Sequence, residues 1–125
     1  MAELLSNVGT EQRLLVSGFN DISATGALDA VRDARRYKTV AIVDHNAMAE
    51  GRTEIRKRDS AFIASVAYFP ERYGEKLVKL ARAIAEGDAV PPAAYTDHLV
   101  IDRANVQRLY PEERGTTGMA PTKSV

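Results

Sequence analysis

Three short polar or aromatic clusters each follow an apolar run: Asn20 and Asp21, then Asp44, His45 and Asn46, then Tyr68 and Phe69. Amides and carboxylates hydrogen-bond hydroxyl groups, and aromatic rings lie against C–H surface. Together these side chains suit a sugar-sized polyol. Each also has a plain structural use: Asn20 and Asp21 as a helix cap, Asn46 as a turn residue, Tyr68 and Phe69 as core at a strand end. Other chemistries find less support. With no cysteine, a thiolate metal site, a disulfide framework and a cysteine nucleophile are excluded. The two histidines, His45 and His98, stand too far apart in sequence for a metal-ligand pattern. The glycines form no phosphate-binding loop, and Ser17 before Gly18 makes no nucleophile elbow. Asp44 beside His45 has the residue types of an acid–base pair, but neighbours on a strand point to opposite faces. The cluster of Arg52, Arg56, Lys57 and Arg58 is interleaved with Glu50, Glu54 and Asp59, the pattern of a solvated helix face. No catalytic set, metal site or cofactor motif emerges, and the sequence reads as a binding module rather than an enzyme.

The clusters need strands that end at them and helices that hold those strands. Residues 13–17 form a branched apolar run that Gly18 breaks. Helical spacing follows over 22–36, with Ala24, Ala27, Leu28 and Val31 on one face and Asn20 or Asp21 as cap. A second strand is expected over 38–43, ended by Asp44-His45-Asn46, and a charged, mostly solvated helix over 49–57. Residues 61–67 give a third strand. Pro70 then opens a helix whose apolar stripe is Tyr73, Leu77, Leu80, Ala81 and Ile84, with Glu75 and Lys79 paired and Gly87 as the stop. After the stiff Val90-Pro91-Pro92 connector, alternation over 95–101 suggests an edge strand, and Asp102 caps a last short helix to Leu109. Strands alternating with helices imply parallel pairing through right-handed crossovers, with both sheet faces covered. The expected class is therefore α/β, a partial doubly wound parallel sheet of three to four strands with flanking helices. So small a parallel sheet leaves its edges open, to be covered by another chain or by more of the same fold.

At 125 residues, the chain fits one globular domain. Residues 1–110 carry the periodic pattern, and the polar, Gly- and Pro-containing stretch 111–125 is expected to be a flexible tail. Seventeen basic residues balance seventeen acidic ones, which disfavours a non-specific grip on nucleic acid or an anionic membrane. No apolar run nears the roughly 20 residues of a membrane span. The N-terminus has neither the basic start nor the apolar stretch of a secretory signal, so the chain as written is expected to stay in the cytoplasm.

The stretch from Gly18-Phe19-Asn20-Asp21 through Thr25-Gly26-Ala27 to Ala30 resembles the Asn-Asp-x-x-Ala-x-Gly-Ala-x-x-Ala segment of type 1 periplasmic sugar-binding proteins and lactose-repressor-like regulators. Val40-Ala41-Ile42-Val43-Asp44-His45-Asn46 is similar to their next strand, which ends in a ligand-binding Asp or Asn. Ser65-Val66-Ala67-Tyr68-Phe69-Pro70 and Gly74 resemble their strand-to-helix segment, and Gly87 to Pro92 with 95–101 and Asn105-Val106 resemble their ending. The resemblance covers roughly 10–110 and implies the C-terminal segment of a two-lobe fold that is incomplete here. It implies a sugar ligand held by Asn20, Asp21, Asn46 and Tyr68, without a cofactor. An ABC permease or chemoreceptor would read cleft closure, and the parent protein would be periplasmic. Asn46 stands where ribose and galactose binders usually carry Asp, and Tyr68 where Gln is usual, so the identity of the sugar does not carry over. The helix after Pro70 packs on the first lobe in that family; here its stripe implies a homo-oligomer formed through this helix or a sheet edge. The alternative implied reading is the sensing and dimerisation remnant of a lactose-repressor-like regulator.

Overall fold

A helix can cover a strand only where apolar residues recur on matching faces, and the chain meets that condition twice in succession. The computed structural model describes residues 1–111; the expected tail, apart from Pro111, lies outside them. After α1 (Ala2–Asn7) come β1 (Leu14–Ser17), α2 (Asp21–Asp33), β2 (Val40–Asn46), α3 (Ala49–Arg56) and β3 (Phe62–Ala67). A 3-10 turn at Pro70–Arg72 then leads into α4 (Tyr73–Glu86), followed by β4 (Leu99–Asp102) and α5 (Val106–Leu109). The sheet order is β1-β2-β3-β4, with the first three strands parallel and β4 antiparallel to β3. The α/β class with a mostly parallel, incomplete sheet agrees with the sequence. β4 is reversed because the chain leaves the carboxyl end of β3, runs out along α4 and returns to the same end, pairing Leu99 with Ala67.

Two right-handed crossovers in consecutive strand order place α2 and α3 on one face of the sheet. Ala24, Leu28 and Val31 from α2 and Ile55 from α3 meet Ile42, Phe62 and Ile101 there in a solvent-free core. Among the described residues nothing covers the opposite face, with Leu15 73% and Val100 53% exposed, so the expectation that both faces are covered is not met there. The physical reason is the strand order. It never reverses, so no crossover reaches the second face.

Several boundaries differ from the sequence expectation. β2 runs on through Asp44-His45-Asn46, because Ser65, Val66 and Ala67 continue the ladder beside it. α2 stops at Asp33, and Arg36 turns inward to donate to the carbonyls of Val8 (3.1 Å), Gly9 (3.1 Å) and Gln12 (2.7 Å). Those bonds fix the segment after α1, a helix the periodicity did not announce. α3 is less solvated than its charge suggests: Ile55 is fully buried, the Arg52 guanidinium lies 4.0 Å from the Tyr110 ring centre, and Arg56 donates to the Tyr110 carbonyl at 3.0 Å. α4 forms with its Glu75–Lys79 pair and its left-handed Gly87 end, yet none of its residues is buried. No helix among the described residues is long and apolar enough to cross a membrane.

The one-sided core makes a sharp contrast between the helices. Ile55→Ala should cost about 2–5 kcal/mol in urea denaturation, as a buried large-to-small change does. Leu77→Ala on exposed α4 should stay within about 0.5 kcal/mol at dilutions where the chain is monomeric; equal losses there would show that α4 is packed within its own chain.

Candidate functional site

Parallel strands deliver their carboxyl ends to one rim, where ligands of open α/β sheets bind. That rim carries all four residues proposed from sequence, in different conditions. Asn20 caps α2: its Oδ1 accepts the Ser23 amide at 2.9 Å, while the Ser23 hydroxyl accepts the Asn20 amide at 3.1 Å. Asp21 was expected to face a ligand, yet it is only 2% exposed and turned inward, where Oδ1 accepts the Met48 amide at 3.0 Å. Asn46 ends β2 at φ 93°, exposed, and its side chain makes no hydrogen bond among the described residues. Tyr68 follows β3 half-buried, with its hydroxyl 3.1 Å from Nδ1 of His45.

Register makes Asn46 and Tyr68 neighbours, since Asn46 pairs with Ala67. Phe19 stands 85% exposed just past the end of β1, on the same rim. Beside the rim, between the starts of α2 and α3, an open groove of about 380 Å³ is lined by Asp21, Ile22, Thr25, Met48 and Glu50. Phe69 is buried in a left-handed conformation (φ 53°), held between the Tyr110 ring and the Arg72 guanidinium 4.2 Å away. That contact turns the chain outward into α4.

Behind the rim lies a feature the sequence did not disclose. Asp44 and His45 do point to opposite faces, but Asp44 is 3% exposed and neither carboxylate oxygen accepts a hydrogen bond of ordinary geometry. Burial pushes its pKa up to about 7; the adjacent Ser65 hydroxyl pulls it down, and the Asp21 charge raises it further. Asp21 is also raised, chiefly by burial, against the lowering effects of the Met48 amide, its own amide and Arg52, with Glu50 adding to the rise. Ser65 sits opposite Asp44 on β3, and its Oγ accepts the Ala47 amide at 2.9 Å. The only available sequence signal was a serine inside an apolar strand. Gly51 completes the packing: a Cβ there would stand 2.1 Å from Oδ1 of Asp21, so only glycine lets α3 come this close. Among the described residues, no three His, Asp or Glu side chains converge where a metal ion could sit.

A crystal structure from Mycobacterium smegmatis is 27% identical, with a TM-score of 0.72 over 88% of this chain and 36% of that one. The fructose-binding periplasmic domain of a hybrid two-component system is also 27% identical, with a TM-score of 0.70 over 86% of this chain and 35% of that one. An ABC transporter solute-binding protein from Agrobacterium vitis with bound allitol is 18% identical, with a TM-score of 0.78 over 86% of this chain and 37% of that one. The chain thus spans about a third of the length of these structures. No family model matches the sequence, and no curated protein matches it. The chain has the fold of a type 1 periplasmic sugar-binding protein, as a partial domain.

The buried acid has a consequence for stability. The folded chain holds the Asp44 proton more tightly than the unfolded chain, so the contribution of Asp44 to stability is greatest in acid and falls as pH rises from the ordinary 3.8 through about 7. Asp44→Asn should stabilise the chain by about 1–3 kcal/mol more near pH 8 than near pH 5. Denaturant midpoints for both proteins at the two pH values check this, and an equal effect at both would show that Asp44 does not titrate in this range.

Proposed function

We propose that the chain is a sugar-binding module, the C-terminal segment of an ABC-transport solute-binding protein, whose carboxyl-end rim is one wall of the sugar cleft. The observation that carries this reading is the exposed, unpaired Asn46 amide beside Tyr68 at adjoining strand ends, in a fold shared with allitol- and fructose-binding proteins. Asn46 offers a donor and an acceptor to neighbouring hydroxyls. The Tyr68 ring and the bare Phe19 ring cover C–H surface. Asn20 retains its Nδ2 hydrogens for a ligand, and Asp21 serves from behind by fixing the Met48 amide. The role is binding and not catalysis, and the ligand meets the rim without a cofactor. Partners in this reading are an ABC permease or chemoreceptor that reads cleft closure, and the parent protein is periplasmic. A second copy of the chain, docked through the exposed Leu77, Val78 and Ile84 of α4 or through a sheet edge, belongs to the same reading. Sedimentation as a single monomeric species would remove it.

One wall gives weak binding. A small-molecule site encloses roughly 70–90% of its ligand, and three or four hydrogen bonds at about 0.5–1.5 kcal/mol each barely meet an association cost of at least about 4 kcal/mol. Titration of the chain with fructose, allitol, glucose and galactose, followed by amide NMR, should give millimolar midpoints with shifts confined to Phe19, Asn20, Asn46 and Tyr68. Asn46→Ala and Tyr68→Ala should each weaken the response by several-fold. Shifts elsewhere on the surface, or none at saturating sugar, would reject the proposal.

A further inference from the structure

The Asn46–Met48 turn carries the best-placed polar group of the rim, and its backbone is unusual. Asn46 and Ala47 are both left-handed, at φ 93° and 49°, a costly conformation for alanine that persists only when its surroundings hold it. Two successive amides of the turn are held by buried side chains: Ala47 donates to Oγ of Ser65, and Met48 to Oδ1 of Asp21. The Arg52 guanidinium binds the Ala47 carbonyl. Asp44 belongs to the same buried cluster, registered against Ser65 and within electrostatic reach of Asp21. Three of the cluster's carboxylate oxygens, both of Asp44 and Oδ2 of Asp21, accept no hydrogen bond of ordinary geometry, and the Ser65 hydroxyl is the neighbour that acts on Asp44.

We propose that Asp44 is a proton-dependent latch for the Asn46–Met48 turn, a positioning residue that sets where Asn46 stands on the rim. Protonated, it removes one of two buried negative charges and adds a donor to a cluster otherwise rich in acceptors. Ionised, it sets its charge against that of Asp21, the carboxylate that holds the Met48 amide, where little solvent reaches either. The turn is then held less tightly. The charged and titratable groups around the cluster are Asp21 from α2, Glu50 and Arg52 from α3, which act on Asp21 in opposite senses, and His45, which lies on the other sheet face against Tyr68. Because burial lifts the Asp44 pKa to about 7, the latch closes below neutrality and opens above it. The effect on a ligand rests on the sugar-wall reading; the latch itself does not.

The test is NMR of the 125-residue chain from about pH 5 to about pH 9, following the Asp44 carboxyl carbon and the Ala47 and Met48 amides without sugar. The three signals should move together with one midpoint near 7. Protection of the two amides should fall by about tenfold above it, after correction for intrinsic exchange. Asp44→Asn should abolish the step and keep the low-pH amide positions throughout, while His45→Gln should retain it. Amides that do not follow the Asp44 carbon, or a step that survives Asp44→Asn and vanishes in His45→Gln, would overturn the latch. If Asp44→Asn fails to fold, the wild-type carbon and amides decide alone. A normal step with no sugar shifts rejects only the sugar wall; sugar shifts without a step reject only the latch.

Discussion

Everything in this molecule depends on the hand of the β-α-β crossover. A right-twisted strand followed by a helix returns to the next parallel strand on one side only, and two such returns in the same direction stack their helices on one face. The core, from Leu28 and Val31 to Phe62 and Ile101, fills that face. The same rule delivers the carboxyl ends of β1, β2 and β3 side by side, which brings Phe19, Asn46 and Tyr68 from distant parts of the chain to one rim. It also leaves Leu15, Val43, Val66 and Val100 on a face that no helix among the described residues covers.

The rim is built with polar groups on both of its sides. In front, the Asn46 side chain is exposed and Tyr68 is half-buried with its hydroxyl against His45. Behind, Asp21 and Ser65 are spent on backbone amides that would otherwise be buried without acceptors. Asp44 is the exception, a buried carboxyl without an ordinary hydrogen bond. Groups of this kind cost stability and persist where a site constrains them. The turn that displays Asn46 is held in place beside two buried carboxyl groups, Asp21 and Asp44, whose pKa values burial raises.

Much of this was legible in the sequence because strand and helix periods are local. Ala24, Ala27, Leu28 and Val31 announced α2, the apolar runs announced three strands, and the cap was narrowed to Asn20 or Asp21, of which Asn20 is the one used. What stayed hidden depended on distant partners. The extension of β2 through Asn46 exists because β3 continues beside it, and the reversal of β4 follows from where α4 returns the chain. Asp21 and Asn20 are adjacent in sequence, yet one turns into the core and the other caps from the surface, a distinction set by Met48 and Gly51 of the next unit. Arg52 and Arg56 read as solvated because their partner, Tyr110, lies more than fifty residues away. The amphipathic spacing of α4 correctly gave a helix but could not say what lies against it.

The central claim is that the carboxyl-end rim receives a sugar. Crystals of the chain soaked in a concentrated monosaccharide or polyol test it most directly. The account predicts density for one molecule lying against Tyr68 and Phe19, with hydroxyls within hydrogen-bond distance of the Asn46 amide. Density at the opposite end of the sheet, in the cavity lined by Leu28, Arg32, Tyr37, Lys57, Asp59 and Ala61, with the rim left empty, would contradict it.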